Sequence, residues 1–222
     1  MNSFGRKPVM NQAPLIHSWQ AGFTMIEVLV SLLIIVLGLL GLAGLQTRLQ
    51  QAEFESYQRS QALVLLYDGV DRVNTNRETA IKGTGGISCM AITNTAAGTA
   101  YYGTGSSALP ACGTSVNAAF NTLADTAMAE WDNMLKGAAE TKNAVSAGAI
   151  AGARGCISYA AGSELLDPAG AVLEGTGIYT VAVAWQGTGD TFQPTVNCAN
   201  NLYGAETRRR VVSTTFRMPK LN

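Results

Sequence analysis

Charged side chains are scarce in this chain of 222 residues: they make up 14%, and Lys plus Arg equals Asp plus Glu at 15 each. That balance excludes the strong basic field that non-specific nucleic-acid binding needs, and it provides no bulk attraction to an acidic membrane. Histidine occurs once, as His17. The four cysteines, Cys89, Cys112, Cys156 and Cys198, are widely spaced and form no C-x-x-C pair, so a zinc centre built from all four is the weaker reading. The fragments GTGG (83–86) and GTGIYT (175–180) have no lysine where a phosphate loop carries one. Asp125, Glu130 and Asp132 are spaced on a short helix as a solvated face would be, not as an acid–base pair. No catalytic residue, cofactor or metal is assigned from these features, and the chain reads as a non-enzyme.

What the chain does have is one long apolar run, GFTMIEVLVSLLIIVLGLLGLAGL at 22–45, interrupted by a single carboxylate, Glu27. From Val28 to Leu45 nothing is charged and Ser31 is the one polar side chain. At about 1.5 Å per residue the run is long enough, as a helix, to cross a ~30 Å hydrocarbon core. A cleavable secretory signal competes with this reading, with GLAGLQ (41–46) as a weak cleavage site, but such signals have shorter apolar regions of about 7–15 residues. A retained membrane helix is favoured. Arg6 and Lys7 precede it, which places the N-terminus in the cytoplasm and the cysteine-bearing remainder in the periplasm or outside the cell. An even cysteine count in that location reads as two disulfides, with four buried thiols as the alternative. Glu27 remains the anomaly, since a charge at bilayer depth costs at least ~2.5–3.5 kcal/mol.

The helix is expected to continue beyond the membrane. Leu42, Leu45, Leu49, Ala52, Ser56, Arg59, Leu63, Leu66, Val70 and Val73 follow a 3-4-3-4 spacing, mostly apolar, through a stretch with no proline. A helix from Phe23 to about Asn74 follows, and its second half needs something to cover one face. Gly38, Gly41 and Gly44 suit either close helix–helix packing or a segment able to loosen. Residues 83–115 are rich in Gly, Ser, Thr and Ala and read as loop. Phe120, Leu123, Ala124, Ala127, Trp131, Met134 and Leu135 recur at helical spacing, with Ser115 or Asn117 as N-cap and an end near Gly137. Alternation at 155–162, 177–187 and 208–218 predicts three strands in an antiparallel meander with one apolar face. The fold class is therefore α+β: a long helix lacking a partner and a sheet lacking a cover.

Gly22-Phe23-Thr24-Met25-Ile26-Glu27, leading into the apolar run, resembles the class III prepilin signal of the type IV pilins. The resemblance implies that a peptidase on the cytoplasmic side cuts after Gly22 and that the new N-terminal residue, Phe23, is N-methylated. It also implies that Glu27 pairs with the N-terminal amine of a neighbouring subunit. Opposite charges at ~4 Å attract far more strongly in low dielectric than in water, although desolvation offsets much of the gain. Glu27 is then a registration device, compensated only in an assembled filament; the alternative is a helix-end carboxylate snorkelling to the headgroups. Two features depart from the usual signal. The leader is long, with Met10 as an alternative start that would also remove Arg6 and Lys7, and Gln20-Ala21 stands where a basic residue is common.

AEWDNML (129–135), GCISY (155–159), YTVAVAWQG (179–187) and RRRVVSTTFR (208–217) are similar to the PilV-type minor pilins, the type IV pilus modification proteins. This implies the type IV pilin fold, a long N-terminal helix on a small antiparallel sheet. The divisions are a cleaved leader at 1–22, a transmembrane and assembly helix at 23–46, its amphipathic continuation at 47–75, and a disulfide-bearing head at 76–222. The implied function is a minor pilin that primes pilus assembly at or near the tip, in support of twitching motility and adhesion. The implied partners are other minor and major pilins, the prepilin peptidase and the inner-membrane assembly platform, with no nucleic acid. The protein would reside in the inner membrane with its head in the periplasm and pass into the filament at the cell surface. The alternatives are a minor pseudopilin of type II secretion, or a membrane-anchored periplasmic protein of another class.

Leader removal would take His17 with it, leaving no imidazole for a Ser-His-Asp triad or a Cys-His pair. Four cysteines allow three connectivities. Locality together with the resemblance favours Cys89–Cys112 and Cys156–Cys198, each worth about 3–4 kcal/mol in the loop-entropy account. Arg208, Arg209 and Arg210, with Arg217 and Lys220 nearby, form the only basic cluster; it reads as a charged strand entrance that discourages edge pairing, or as a patch facing a partner.

Overall fold

No proline lies between Pro14 and Pro110, so nothing in the apolar run or its polar continuation forces a helix to stop. The computed structural model describes residues 22–77, 87–106, Leu109, Cys112, 118–138, 141–142, 145–146 and 150–218. The sequence readings at Arg6, Lys7, Met10, His17, Gln20, Ala21, 83–86, Ser115, Asn117 and Lys220 lie outside these residues. A single helix, α1, spans Met25–Thr75. The chain forms two compact units, Met1–Arg48 and Leu49–Asn222. In the first unit every described residue is exposed, including all the large apolar side chains of α1.

In the second unit, the rest of α1 buries a line of Gln58, Ala62, Leu66, Gly69 and Val73. The expected stripe shares Leu66 and Val73 with this line and diverges towards the N-terminus, where Leu49, Ser56 and Arg59 are exposed and Leu63 is barely covered. A strict 3-4 repeat drifts by about 20° per heptad around a straight helix, so an extrapolated stripe rotates off the packed face. Gln58 and Gly69 also sit in the seam without an apolar side chain to announce them.

A second helix, α2, spans Ala118–Leu135. It ends at Gly137, whose φ of +73° suits glycine. The Gly137 N–H donates to Met134 O (2.9 Å) and the Ala138 N–H to Asn133 O (3.0 Å), a Schellman termination near the expected position. Ala124, Met128, Trp131 and Leu135 are fully buried, whereas Phe120 and Leu123 remain exposed.

The main sheet contains β1 (Tyr102–Gly103), β4 (Arg154–Ala160), β7 (Ile178–Gln186) and β8 (Arg209–Arg217), all antiparallel in the order β1-β4-β7-β8. Two small hairpins lie outside it: β2 (Thr141–Lys142) with β3 (Val145–Ser146), and β5 (Leu165–Leu166) with β6 (Val172–Leu173). The three longer strands of the main sheet are the expected ones, and β8 is an edge. Tyr179, Val181, Val183 and Trp185 project from β7 into the core that also contains Leu66, Val73 and Trp131. The expected single apolar face is corrected by the structure: Ala182 and Ala184 on the opposite face are buried with Cys156, Cys198 and Tyr203 in a second core. Small alanines read as outward-facing in an alternating pattern, and only the segment between β7 and β8 folding back over them makes that face interior.

Candidate functional site

The N-terminal end of α1 brings together the residues that the sequence singles out. Gly22 and Phe23 precede the helix in irregular backbone; Phe23 is 83% exposed, and a methyl group added at Gly22 would meet no atom within 4 Å. The Gly22–Phe23 peptide bond therefore stands clear of the fold. Thr24 is the N-cap: its carbonyl accepts from the Glu27 and Val28 N–H groups (3.1 and 3.3 Å), and its Oγ1 accepts from the Glu27 N–H at 3.4 Å. Glu27 stands in the first turn, where the unpaired N–H groups and the helix dipole favour negative charge. The T-x-x-E pattern ahead of an apolar run is a readable helix-start signature, missed in the sequence reading of these residues.

Between Glu27 and Arg48 both hydroxyls of the helix are occupied. Ser31 Oγ donates to Val28 O (2.9 Å), and Thr47 Oγ1 lies within hydrogen-bonding distance of Gly44 O and Ala43 O (3.0 and 3.1 Å). In lipid, internal bonds of this kind remove the need for water. The most apolar window has a mean hydropathy of 2.9 and none of it is buried. A methyl group at Gly38, Gly41 or Gly44 would likewise meet nothing within 4 Å.

The head carries its polar chemistry as fasteners. Cys89–Cys112 and Cys156–Cys198 are both disulfide-bonded. Asp132, read as solvated, is only 3% exposed: its Oδ1 accepts from the Gly103 N–H (2.6 Å) and Ser106 Oγ (2.8 Å), and Oδ2 pairs with Lys136. Asp125 accepts from the Cys112 N–H (2.9 Å), and Glu130 meets Arg72 at 2.8 Å. The solvated-face reading is corrected for Asp132, because loop backbone at 103–106 presents donors that a helix pattern does not reveal.

The arginine cluster divides into three different roles. Arg208 makes an exposed pair with Asp190 at 3.2 Å. Arg209 is fully buried and donates to Glu206 Oε2 (2.7 Å), Val196 O (2.8 Å) and Cys198 O (3.2 Å), holding the segment that covers the second core. Arg210 donates to Glu55 Oε1 (3.1 Å), Gly189 O (2.9 Å) and Thr207 O (3.0 Å). The same Glu55 oxygen accepts from the Thr188 Oγ1 (2.8 Å) and N–H (3.1 Å), clasping α1 to the β7–β8 connection. Partial burial pushes Glu55 up, but the bonds from Thr188 and the Arg210 charge outweigh it, and its pKa lies below the ordinary value. Of the three, only Arg208 is exposed at the strand entrance as a charge that discourages edge pairing would be.

Tyr203 is pushed up to about 12, chiefly by burial, with the neighbouring Arg154 acting in the opposite direction. Tyr159 also rises to about 12, through burial and then its bond to Glu164. Both phenols stay protonated at neutral pH: Tyr203 bonds to the Gly152 and Ala184 carbonyls, and Tyr159 donates to Glu164. Among the described residues no group of His, Cys, Asp and Glu is arranged to hold a metal ion.

Residues 20–43 match the family model of the prokaryotic N-terminal methylation motif. No curated protein and no solved structure matches the chain. The motif supports a type IV pilin-like protein, and it implies processing by a prepilin peptidase and assembly with other pilins. An exposed, apolar N-terminal helix fits membrane anchoring and incorporation into a filament.

Proposed function

We propose that this chain is a minor pilin of a type IV pilus, which primes assembly at or near the filament tip and so supports twitching motility and adhesion. Cleavage after Gly22 frees the amine of Phe23, which is then methylated; residues 1–22 are the leader, 23–46 the membrane and assembly helix, 47–75 its continuation, and 76–222 the head. The N-terminus starts on the cytoplasmic side of the inner membrane and the disulfide-bonded head on the periplasmic side. Glu27 meets the amine of an adjacent subunit and sets its register. The observation that carries this reading is the methylation motif at 20–43, which overlaps a helix whose most apolar window is entirely uncovered. An apolar helix of that length needs lipid or the same kind of helix from other subunits around it. The four later segments named above add the minor-pilin likeness.

Two experiments test the proposal. N-terminal mass spectrometry of the mature protein should find a methylated Phe23 as the first residue; solely uncut protein in both membranes and sheared filaments would refute the reading. Deletion of the gene should reduce surface piliation and leave protein secretion intact. Loss of secretion with normal pili would instead assign the chain to type II secretion.

A further inference from the structure

We draw no further inference here: the strongest candidate, the apolar groove between the C-terminal end of α1 and α2, lined by Thr75, Phe120, Leu123 and Ala127, carries nothing because nothing in the structure shows what covers it.

Discussion

A side chain at Gly69 would begin 2.7 Å from Trp131 Cζ2, so α2 docks on the bare backbone of α1. Trp131 is fully buried, its Nε1 donates to Leu65 O at 2.9 Å, and a Cβ at Gly155 of β4 would lie 2.4 Å from its far edge. One indole is thus held between a helix and a strand at two glycines. Gly69→Ala gains helix propensity of about 1 kcal/mol, but it drives a methyl group into a ring that is clamped on both sides. The clash wins: the variant should lose about 1–3 kcal/mol, read from urea unfolding of the detergent-solubilised chain by tryptophan fluorescence. A variant as stable as the parent would mean that α2 can slide along α1.

Arg208 and Arg209 are adjacent and should behave oppositely. Arg208→Ala removes an exposed pair and should change stability by less than about 1 kcal/mol. Arg209→Met strips the buried partner from Glu206 and from the carbonyls of Val196 and Cys198, for a loss of about 3–5 kcal/mol. Thermal unfolding of the two variants side by side is the measurement, and equal midpoints would contradict the burial of Arg209.

Much of the fold is readable in the sequence, and the charged exceptions share a cause. The extent of α1 and the three longer strands follow from periodicities that each segment carries by itself, so Phe23 to Asn74 lies within two residues of the observed Met25–Thr75. Asp132, Arg209 and Glu55 were opaque because a charged residue is interior only when distant backbone or side chains come to meet it. The separation of Glu55 from Arg210, 155 positions, leaves no local trace. The second core was hidden in the same way, behind alanines whose cover lies between β7 and β8. At the N-terminus, by contrast, the candidate site is contiguous, six consecutive residues within the matched motif.

The Glu55 clasp makes a pH-dependent contribution. Its carboxyl binds protons less readily in the folded chain than its ordinary value of 4.5 describes, so the stabilisation is present above that value and is lost as pH falls through the lowered one. The side chain is 35% exposed, which limits the contribution to under about 1 kcal/mol. Glu55→Gln should therefore be slightly less stable than the parent at pH 7, and the gap should close by pH 3. A gap that widens in acid would show that the clasp works through shape and not charge.

Each disulfide should stabilise the head by an amount that grows only with the logarithm of the loop it closes, but Cys156–Cys198 does more than close one. Its sequence separation is 42, against 23 for Cys89–Cys112, which by loop entropy alone distinguishes them by less than about 1 kcal/mol. Cys156 and Cys198 are also packed with Ala182, Ala184 and Tyr203, so replacing both with serine places hydroxyls in an apolar cluster. The double Cys156→Ser, Cys198→Ser variant should thus lose more than the loop-entropy figure of about 4 kcal/mol, and clearly more than the corresponding variant at Cys89 and Cys112. Urea midpoints under non-reducing conditions measure the difference.

Glu27 has two separable roles at the start of α1, and two substitutions distinguish them. Its backbone N–H bonds to Thr24, which starts the helix, whereas its carboxylate is the group that the proposed filament contact uses. Thr24→Ala removes the Oγ1 acceptor, frays the first turn by about 0.5–2 kcal/mol, and leaves the charge in place. Glu27→Gln leaves the backbone bonds in place and removes only the charge. If Glu27 acts through an amine on a neighbouring subunit, Glu27→Gln should still be cut after Gly22 but be nearly absent from sheared filaments. Thr24→Ala should enter them at a reduced but substantial level. The opposite ranking, with the uncharged variant assembling better, would make Glu27 a helix-start residue and remove the charge from the mechanism of registration.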